Sequence, residues 1–233
     1  MSLQAILSAV QSYQPRADLE PIRKAYTFVR QNHQGQTRAS GEPYVTHVQE
    51  VALLATKLRL DVPSITAALL HDVVEDTSVT LPKLAENFGK EVAELVDGVT
   101  KLNQINFASK AEAQAENFRK MLLAMARDIR VILLKLCDRL HNMQTLEFLS
   151  ESRRERIAQE TLDIYAPLAH RLGIYWMKSD LEDLCLRFLK STVYENIKKL
   201  VVDSKKEREG YIKDVVSLIT RELEQNGLQG NVS

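Results

Sequence analysis

Two stretches of this sequence are apolar on nearly every side, and each ends at acidic residues. The first, Ile65–Leu70, is followed by His71 and Asp72, and the second, Ile129–Cys137, is followed by Asp138. A helix that is hydrophobic all round is buried among other elements. The fold must therefore surround two helices with others, and it must hold polar groups at their ends.

Turn-forming residues are scarce, since the chain has 8 glycines and 6 prolines among 233 residues. A sandwich or barrel of many short strands needs frequent turns, whereas long helices do not. Apolar residues recur at helical spacing along most of the chain, and no stretch alternates strongly enough to predict a sheet. These patterns predict an all-α protein, a bundle of about ten helices.

The helical pattern leads to two specific predictions. One helix is predicted to run without a break from Ile65 to about Asp76. Residues 103–115 are polar and rich in alanine, so a loop or a loosely held helix is expected there, before a helix over 117–127.

The domain organisation rests on a change of character near residue 190. No proline- or serine-rich linker divides the chain, but the predicted helix beyond this point is strongly charged. We expect one domain over 1–190 and a charged helix over 191–233.

Composition excludes several kinds of partner and location. Lys plus Arg and Asp plus Glu both number 31, so the chain lacks the basic excess of a general nucleic-acid binder. No apolar run approaches the roughly 18 residues of a membrane span, and the N-terminus lacks a signal-peptide pattern. The 2 cysteines form neither a disulfide framework nor a metal-finger spacing. We therefore expect a cytoplasmic protein that binds neither nucleic acid nor membrane.

Four polar residues follow the first apolar stretch. His71, Asp72, Glu75 and Asp76 are spaced by three and four residues, so on one continuous helix they share a face. A solvated helix end would give the same pattern. The apolar turn before them favours a functional cluster, and no lysine-rich surface face follows them.

The second apolar stretch leads into a polar stripe, because Asp138, Asn142 and Thr145 are spaced by four and three residues. A buried carboxylate costs several kcal/mol unless an ion-pair partner or a bound cation faces it. Arg139 or Arg171 could be that partner. From these residues alone, an ion pair and a bound metal are equally open.

Four histidines bear on this choice. A lone histidine such as His47 is more often structural than a metal ligand. Together with His71 and the two aspartates, however, it completes a set of nitrogen and oxygen donors. Such a set suits Mn²⁺, Fe²⁺ or Zn²⁺ and leaves positions for water and substrate. His141, three residues beyond Asp138, could support a ligand, whereas His33 is expected at the surface.

Several longer motifs together resemble one family, and they stand in the family's order. They are Arg38–Tyr44, Ala67–Thr77, Leu95–Leu102, Asp138–Met143 and Tyr165–Gly173. They resemble the RelA/SpoT alarmone enzymes, whose hydrolase domain belongs to the HD superfamily of metal-dependent phosphohydrolases. The resemblance covers nearly the whole chain from about residue 20 onwards.

The resemblance implies an activity in the breakdown of stringent-response alarmones. The family hydrolyses the 3′-pyrophosphate of ppGpp and pppGpp with one Mn²⁺, giving GDP or GTP and pyrophosphate. Position by position, it implies the metal ligands His47, His71, Asp72 and Asp138 and the catalytic pair Glu75 and Asp76. It also implies that Arg38 and Ser40 meet the guanine base, that Asn142 and Thr145 meet the sugar or phosphate, and that Lys101 contacts the substrate.

Two positions depart from the family pattern. Ala39 stands where a second basic residue is common, and Cys137 stands where a small apolar residue is usual. We expect Cys137 to serve packing, because Asp138 rather than the thiol lies on the stripe with Asn142. The implied ligands and the acidic pair are all present, unlike in members that have lost hydrolysis.

The resemblance also predicts what lies outside this sequence. Full-length bifunctional members continue from a charged helix into a synthetase domain, whose motifs are absent here. We therefore expect a hydrolase domain that belongs to a longer protein, with a synthetase domain in cis, and no ppGpp synthesis by these residues.

Two other functions stay open. One is a different HD phosphohydrolase that acts on dNTPs or cyclic nucleotides, and the motifs Arg38–Tyr44 and Leu95–Leu102 weigh against it. The other is a regulatory module with a vestigial metal site. The intact pair of Glu75 and Asp76 weighs against that role as the sole function.

Overall fold

The structure, a computed structural model, describes residues 3–103, 127–226 and 230. Over these residues it contains helices and no strand, which confirms the all-α prediction. The helix predicted over 117–127 and the stretch 103–115 lie, apart from their ends, outside the described residues. None of the described helices is long and apolar enough to cross a membrane.

The helices follow the predicted pattern, with bounds that differ by a few residues. They are α1 (Leu3–Tyr13), α2 (Glu20–Asn32), α3 (Tyr44–Lys57), α4 (Val62–Leu70), α5 (Val73–Asp76), α6 (Leu81–Phe88), α7 (Lys90–Asn103), α8 (Ile129–Gln144), α9 (Glu151–Glu160), α10 (Ala166–Arg171), α11 (Tyr175–Leu189) and α12 (Ser191–Gln225). A 3₁₀ turn (Leu146–Phe148) follows α8, and a π-helical turn (Thr161–Tyr165) joins α9 to α10.

The chain divides into two compact units, Met1–Cys185 and Leu186–Ser233. The division falls inside α11, close to the boundary predicted at residue 190. The first unit contains every residue proposed for a site, and the second contains α12. The roles given to these two parts of the chain stay predictions.

The two apolar stretches are the buried centre of the first unit. Helix α4 packs against α2, α3 and α7, and α8 packs against α3 and α7. Ile65 and Leu69 on α4, like Ile132 and Leu136 on α8, are fully buried. Burial of this kind stabilises a fold by roughly 1.5–3 kcal/mol per large apolar side chain.

One arginine joins the starts of these two buried helices. The Asp61 side chain caps α4, and Asp128 caps α8 by accepting from the amide of Arg130 at 2.9 Å. The Arg130 guanidinium lies 2.8 Å from the Asp61 carboxylate and 2.7 Å from that of Glu91 on α7. From the capping residues Asp61 and Asp128, His71 and Asp138 each lie ten residues along the chain, or about 15 Å at 1.5 Å per residue. Equal helix lengths thus bring both residues to the same level of the bundle.

The prediction of one unbroken helix from Ile65 to Asp76 is wrong. Helix α4 ends at Leu70, and α5 begins at Val73. Nδ1 of the intervening His71 lies 2.8 Å from the carbonyl oxygen of Ala68. In an uninterrupted helix this carbonyl accepts from the amide four residues later, so the ring competes with the backbone and the helix is interrupted there.

Helices α7 and α8 come close together at Gly98. A Cβ atom added there would lie 2.7 Å and 3.0 Å from the two γ-carbons of Val131, which is buried. The branched valine side chain has little freedom to move away. Glycine at this position therefore sets how near the α8 backbone comes to α7.

We predict that Gly98→Ala destabilises the protein by about 1 kcal/mol. Overpacking costs roughly 1–3 kcal/mol, which exceeds the gain of up to about 1 kcal/mol from replacing glycine in a helix. Urea unfolding of the wild type and the variant measures the difference.

The control for this prediction is the sign of the stability change in a second background. In a Val131→Ala background the clash is gone, so Gly98→Ala should become stabilising through helix propensity alone. If the substitution has the same effect in both backgrounds, the close approach does not explain the glycine.

Candidate metal centre

Two helices and the break between α4 and α5 bring four predicted ligands together. Ligand atoms of His47 on α3, His71 at the break and Asp138 on α8 all lie within 4.8 Å of one another. The Asp72 carboxylate lies 3.4 Å from Nε2 of His47 and 3.1 Å from Nε2 of His71. The two histidines and Asp138 are buried. The cluster is therefore a set of nitrogen and oxygen donors shielded from water.

The His71 ring presents a lone pair to this cluster. Its Nδ1 lies 2.8 Å from the Ala68 carbonyl, which can only accept, so Nδ1 carries the proton. Nε2 of His71 is then an acceptor, and it is buried without a hydrogen-bond partner. It faces carboxylate oxygens of Asp72 at 3.1 Å and Asp138 at 3.7 Å. Acceptors that face one another in the interior repel unless a cation lies between them.

The charges of the cluster are strongly coupled. Burial disfavours an imidazolium, yet the neighbouring Asp72 and Asp138 carboxylates raise the pKa of His71 well above its usual value. Burial also disfavours a carboxylate, yet His71 and His47 hold the pKa of Asp72 below its usual range. Without a metal ion, the site therefore favours a bound proton where a cation would otherwise lie.

Two side chains on α8 hold the Asp138 carboxylate from behind. Nζ of Lys135 donates to Oδ2 at 2.6 Å, and Nδ2 of Asn142 donates to Oδ1 at 2.6 Å. Despite burial, Lys135 and the two ligand histidines keep the pKa of Asp138 well below its usual value. The partner considered from sequence was Arg139 or Arg171, but Arg139 pairs with Glu160 instead, at 3.0 Å.

Lys135 was missed in the sequence analysis, although a signal was present. It is a charged residue within the otherwise apolar stretch Ile129–Cys137, three residues before Asp138. That spacing places both side chains on one side of the helix. Cys137 is buried, as expected of a packing residue.

Asp72 is held by a tyrosine that the sequence analysis did not single out. The Tyr44 hydroxyl donates to Oδ2 of Asp72 at 2.5 Å, and burial together with the Asp72 and Asp76 carboxylates raises the pKa of Tyr44. The ring of His33 stacks on that of Tyr44, with centroids 4.5 Å apart. His33 is only 4% exposed, so its predicted surface position is wrong: an aromatic face covers it.

The loop before α3 folds back on itself and reaches the cluster. The amide of Arg38 donates to the Glu42 carbonyl at 2.9 Å, and the amide of Tyr44 donates to the Gln36 carbonyl at 3.1 Å. Gly41 has a φ of 84°, which favours glycine, within this turn. The side-chain amide of Gln36 also reaches the backbone carbonyl of Asp76 at 3.1 Å.

Arg38 extends from this loop into the site. Its Nη2 donates to Oδ1 of Asn142 at 2.6 Å, and its Nη1 lies 3.2 Å from Nδ1 of His141. The same Nδ1 lies 2.8 Å from Nδ1 of His47. Burial, with His47 and Arg38 nearby, lowers the pKa of His141 to about 3, so its ring is neutral. The structure thus brings Arg38, Asn142 and His141 to the cluster.

The other three residues predicted to contact the nucleotide are Ser40, Thr145 and Lys101. Ser40 is half-buried in the same loop as Arg38. The Thr145 hydroxyl donates to the carbonyls of His141 and Asn142 at the end of α8. Lys101 is exposed on α7, where its ion-pair partner is Asp97 at 2.5 Å.

The predicted catalytic pair lies on α5. Glu75 and Asp76 are both exposed, and they follow directly on the break that holds His71 and Asp72. The short helix α5 therefore places two exposed carboxylates directly after the candidate ligands His71 and Asp72 in the chain. Their catalytic role stays a prediction.

The donor set fits a metal ion. Nε2 of His71 has a lone pair directed inward, and Nε2 of His47 lies 3.4 Å from carboxylate oxygens of both Asp72 and Asp138. Imidazole and carboxylate donors without a thiolate suit Mn²⁺, Fe²⁺ and Zn²⁺. The residues that could hold the ion are those predicted from sequence, with Asp72 beside the compact group of the other three.

Residues 25–175 match the family profile described as HD domain, which covers the whole cluster. The chain belongs to the HD domain family. Sequence similarity to individual proteins extends beyond that profile, over nearly the entire chain.

Three curated relatives illustrate this likeness. The chain is 54% identical over 227 residues to a GTP pyrophosphokinase of Myxococcus xanthus, covering 96% of this chain and 30% of the relative. It is 49% identical over 224 residues to the bifunctional (p)ppGpp synthase/hydrolase SpoT of Escherichia coli K12, covering 96% and 32%. It is 45% identical over 233 residues to a guanosine-3′,5′-bis(diphosphate) 3′-pyrophosphohydrolase of Aquifex aeolicus, covering 100% and 33%. These matches confirm the resemblance to RelA/SpoT enzymes, and the chain spans about a third of their length.

We predict that Lys135→Met destabilises the metal-free protein by about 3 kcal/mol, because it leaves the buried Asp138 carboxylate without its cation. Urea unfolding in EDTA measures this loss. The double variant Lys135→Met/Asp138→Asn should recover most of it, since no buried charge is then unpaired.

An exposed pair supplies the matched control. Lys83 and Glu86 have the same three-residue spacing and lie 2.8 Å apart, but their side chains are 56% and 69% exposed. Lys83→Met should change the stability by less than about 0.5 kcal/mol. Equal losses for the two lysine variants would contradict the proposed clamp on Asp138.

Proposed function

We propose that this chain hydrolyses the 3′-pyrophosphate of ppGpp and pppGpp, with one Mn²⁺, to GDP or GTP and pyrophosphate. The observation that carries the proposal is the convergence of His47, His71, Asp72 and Asp138 on one buried point beside an acidic helix. The names of the SpoT relative and the Aquifex aeolicus relative support the same substrate.

The metal would be held by Nε2 of the two histidines and by oxygens of the two aspartates. A bound Mn²⁺ lowers the pKa of water and polarises a phosphoryl oxygen. Lys135 and Asn142 keep the Asp138 carboxylate ionised and oriented, and Tyr44 does the same for Asp72. These contacts fix the donors before an ion arrives.

The acidic pair would handle the proton of the attacking water. We assign Glu75 as the group that orients or deprotonates this water, with Asp76 assisting. The water oxygen forms a bond to the phosphorus attached to the ribose 3′-oxygen, and the bond between that phosphorus and the 3′-oxygen breaks. The pyrophosphate leaves with the water oxygen, and the 3′-oxygen takes up a proton.

The nucleotide would lie against the loop and the end of α8. Arg38 uses the edge of its guanidinium for Asn142 and His141, so a flat face is left for stacking on guanine. Ser40, in the same loop, would contact the base, and Asn142 and Thr145 would contact the sugar or phosphate. Lys101 is retained as a substrate contact on the family resemblance alone.

The relatives' names include synthesis as well as hydrolysis. We assign hydrolysis to these residues because a metal cluster with an adjacent carboxylate pair suits water activation. A synthetase domain in cis belongs to the proposal for the longer protein. A different HD phosphohydrolase or a regulatory module is the alternative that the assay must separate.

The decisive assay is pyrophosphate release from ppGpp in the presence of Mn²⁺. We expect turnover by the wild type, loss in EDTA, and loss in Asp138→Ala, which removes a donor. Turnover of dNTPs or cyclic nucleotides in place of ppGpp would favour the other HD enzymes. No turnover of any of these would favour the regulatory module.

We predict that Glu75→Gln lowers kcat by about 10²- to 10⁴-fold, the usual contribution of a positioned acid or base, while Mn²⁺ affinity stays within a few-fold. Steady-state kinetics and calorimetric Mn²⁺ titration measure the two effects. Glu86→Gln, on the exposed face of α6, is the matched control and should change neither. Unchanged kcat in Glu75→Gln would refute the assignment of Glu75.

A further inference from the structure

His141 lies directly behind one of the candidate ligands. It is buried on α8, and its Nδ1 is 2.8 Å from Nδ1 of His47. Two ring nitrogens at this distance share one proton, because two lone pairs or two N–H groups would repel each other. The direction of this hydrogen bond decides which nitrogen of His47 keeps a lone pair.

Arg38 determines that direction. Its Nη1 lies 3.2 Å from the same Nδ1 of His141, and its Nη2 is anchored on Asn142 at 2.6 Å. A guanidinium has donors only, so Nδ1 of His141 is an acceptor and carries no proton. Nδ1 of His47 must then carry the proton that it donates to His141.

The consequence reaches the metal cluster. With its proton on Nδ1, His47 keeps a lone pair on Nε2, the atom that lies 3.4 Å from Asp72 and 3.4 Å from Asp138. The opposite tautomer would direct an N–H group at the same oxygens. That N–H would occupy the place of the ion.

We infer that His141 and Arg38 are positioning residues of the metal centre: Arg38 keeps His141 an acceptor, and His141 holds His47 in the tautomer that presents Nε2 to the ion. The inference rests on the proposed metal site but concerns two residues that are not ligands in it. Partners of this kind behind a metal ligand contribute about 10- to 100-fold to metal affinity.

The main test compares two substitutions of His141 by Mn²⁺ affinity, measured by calorimetry. His141→Asn retains a carbonyl acceptor near the position of Nδ1, whereas His141→Leu keeps apolar volume and has no acceptor. We expect His141→Leu to bind Mn²⁺ about 10- to 100-fold more weakly and His141→Asn to regain most of that loss. If the two variants are equal, or if leucine binds better, His141 acts through packing and the inference is overturned.

Arg38 offers a second arm in which two effects have opposite signs. Removing a positive charge near a cation site raises cation affinity by Coulomb's law alone. In Arg38→Leu, however, His141 is free to donate from Nδ1 and to drive the His47 proton onto Nε2. We expect the Mn²⁺ affinity to fall several-fold, and an unchanged or higher affinity would refute the role of Arg38.

Proton positions give a readout independent of affinity and turnover. In ¹⁵N–¹H spectra of the wild type loaded with diamagnetic Zn²⁺, we expect the His47 proton on Nδ1 and the His141 proton on Nε2. A proton on Nδ1 of His141 would overturn the inference. His170→Leu, at an exposed histidine on α10, is the matched control and should leave Mn²⁺ affinity and these signals unchanged.

Failure of the inference and failure of the proposed function are distinguishable. Wild-type protein that binds no Mn²⁺ contradicts the metal centre itself. Wild-type protein that binds Mn²⁺ and hydrolyses ppGpp, together with His141→Leu of unchanged affinity, contradicts only the assignment of His141.

Discussion

The carboxylates of Asp72 and Asp138 face the Nε2 atoms of His47 and His71 at 3.1–3.7 Å, largely shielded from water. Such an arrangement costs free energy, because unpaired lone pairs and anions lose their hydration in the interior. A proton or a metal ion between them recovers it. The surrounding helices must therefore hold an arrangement that their own packing would not favour.

The fold does this by fixing the positions of His71 and Asp138 at equal distances along two buried helices. Helices α4 and α8 begin at one ion-pair junction around Arg130 and run equal lengths to His71 and Asp138. Their sides are mostly apolar, so packing fixes their positions, and His71 and Asp138 come where the helices reach the centre. The break at His71 then releases the chain, so that Asp72 and the α5 carboxylates can approach from a different direction.

How much of this was predictable depends on whether the information is local. Helix positions followed from periodicity, and the candidate ligands were predicted from spacing and a family resemblance, because these signals come from short sequence motifs. The break after Leu70 was not predicted, because it depends on a ring that competes for one carbonyl. The burial of His33 depends on stacking against Tyr44, and the partner of Asp138 depends on the length of the Lys135 side chain. The stacking of His33 is a tertiary contact, and the other two are choices among partners three residues away; helical spacing alone ranks neither kind.

The contacts behind the ligands share one physical feature. His71 is held by a backbone carbonyl, His47 by His141, Asp138 by Lys135 and Asn142, and Asp72 by Tyr44. Each ligand thus has its own partner, and all of these partners lie on helices α3, α4 and α8, so no single loop movement can disorder them all. The Arg38 side chain joins this set to the loop before α3. A nucleotide bound to Arg38 as proposed would therefore act on a group already hydrogen-bonded to the candidate metal centre, and binding free energy could pass between the two through one guanidinium.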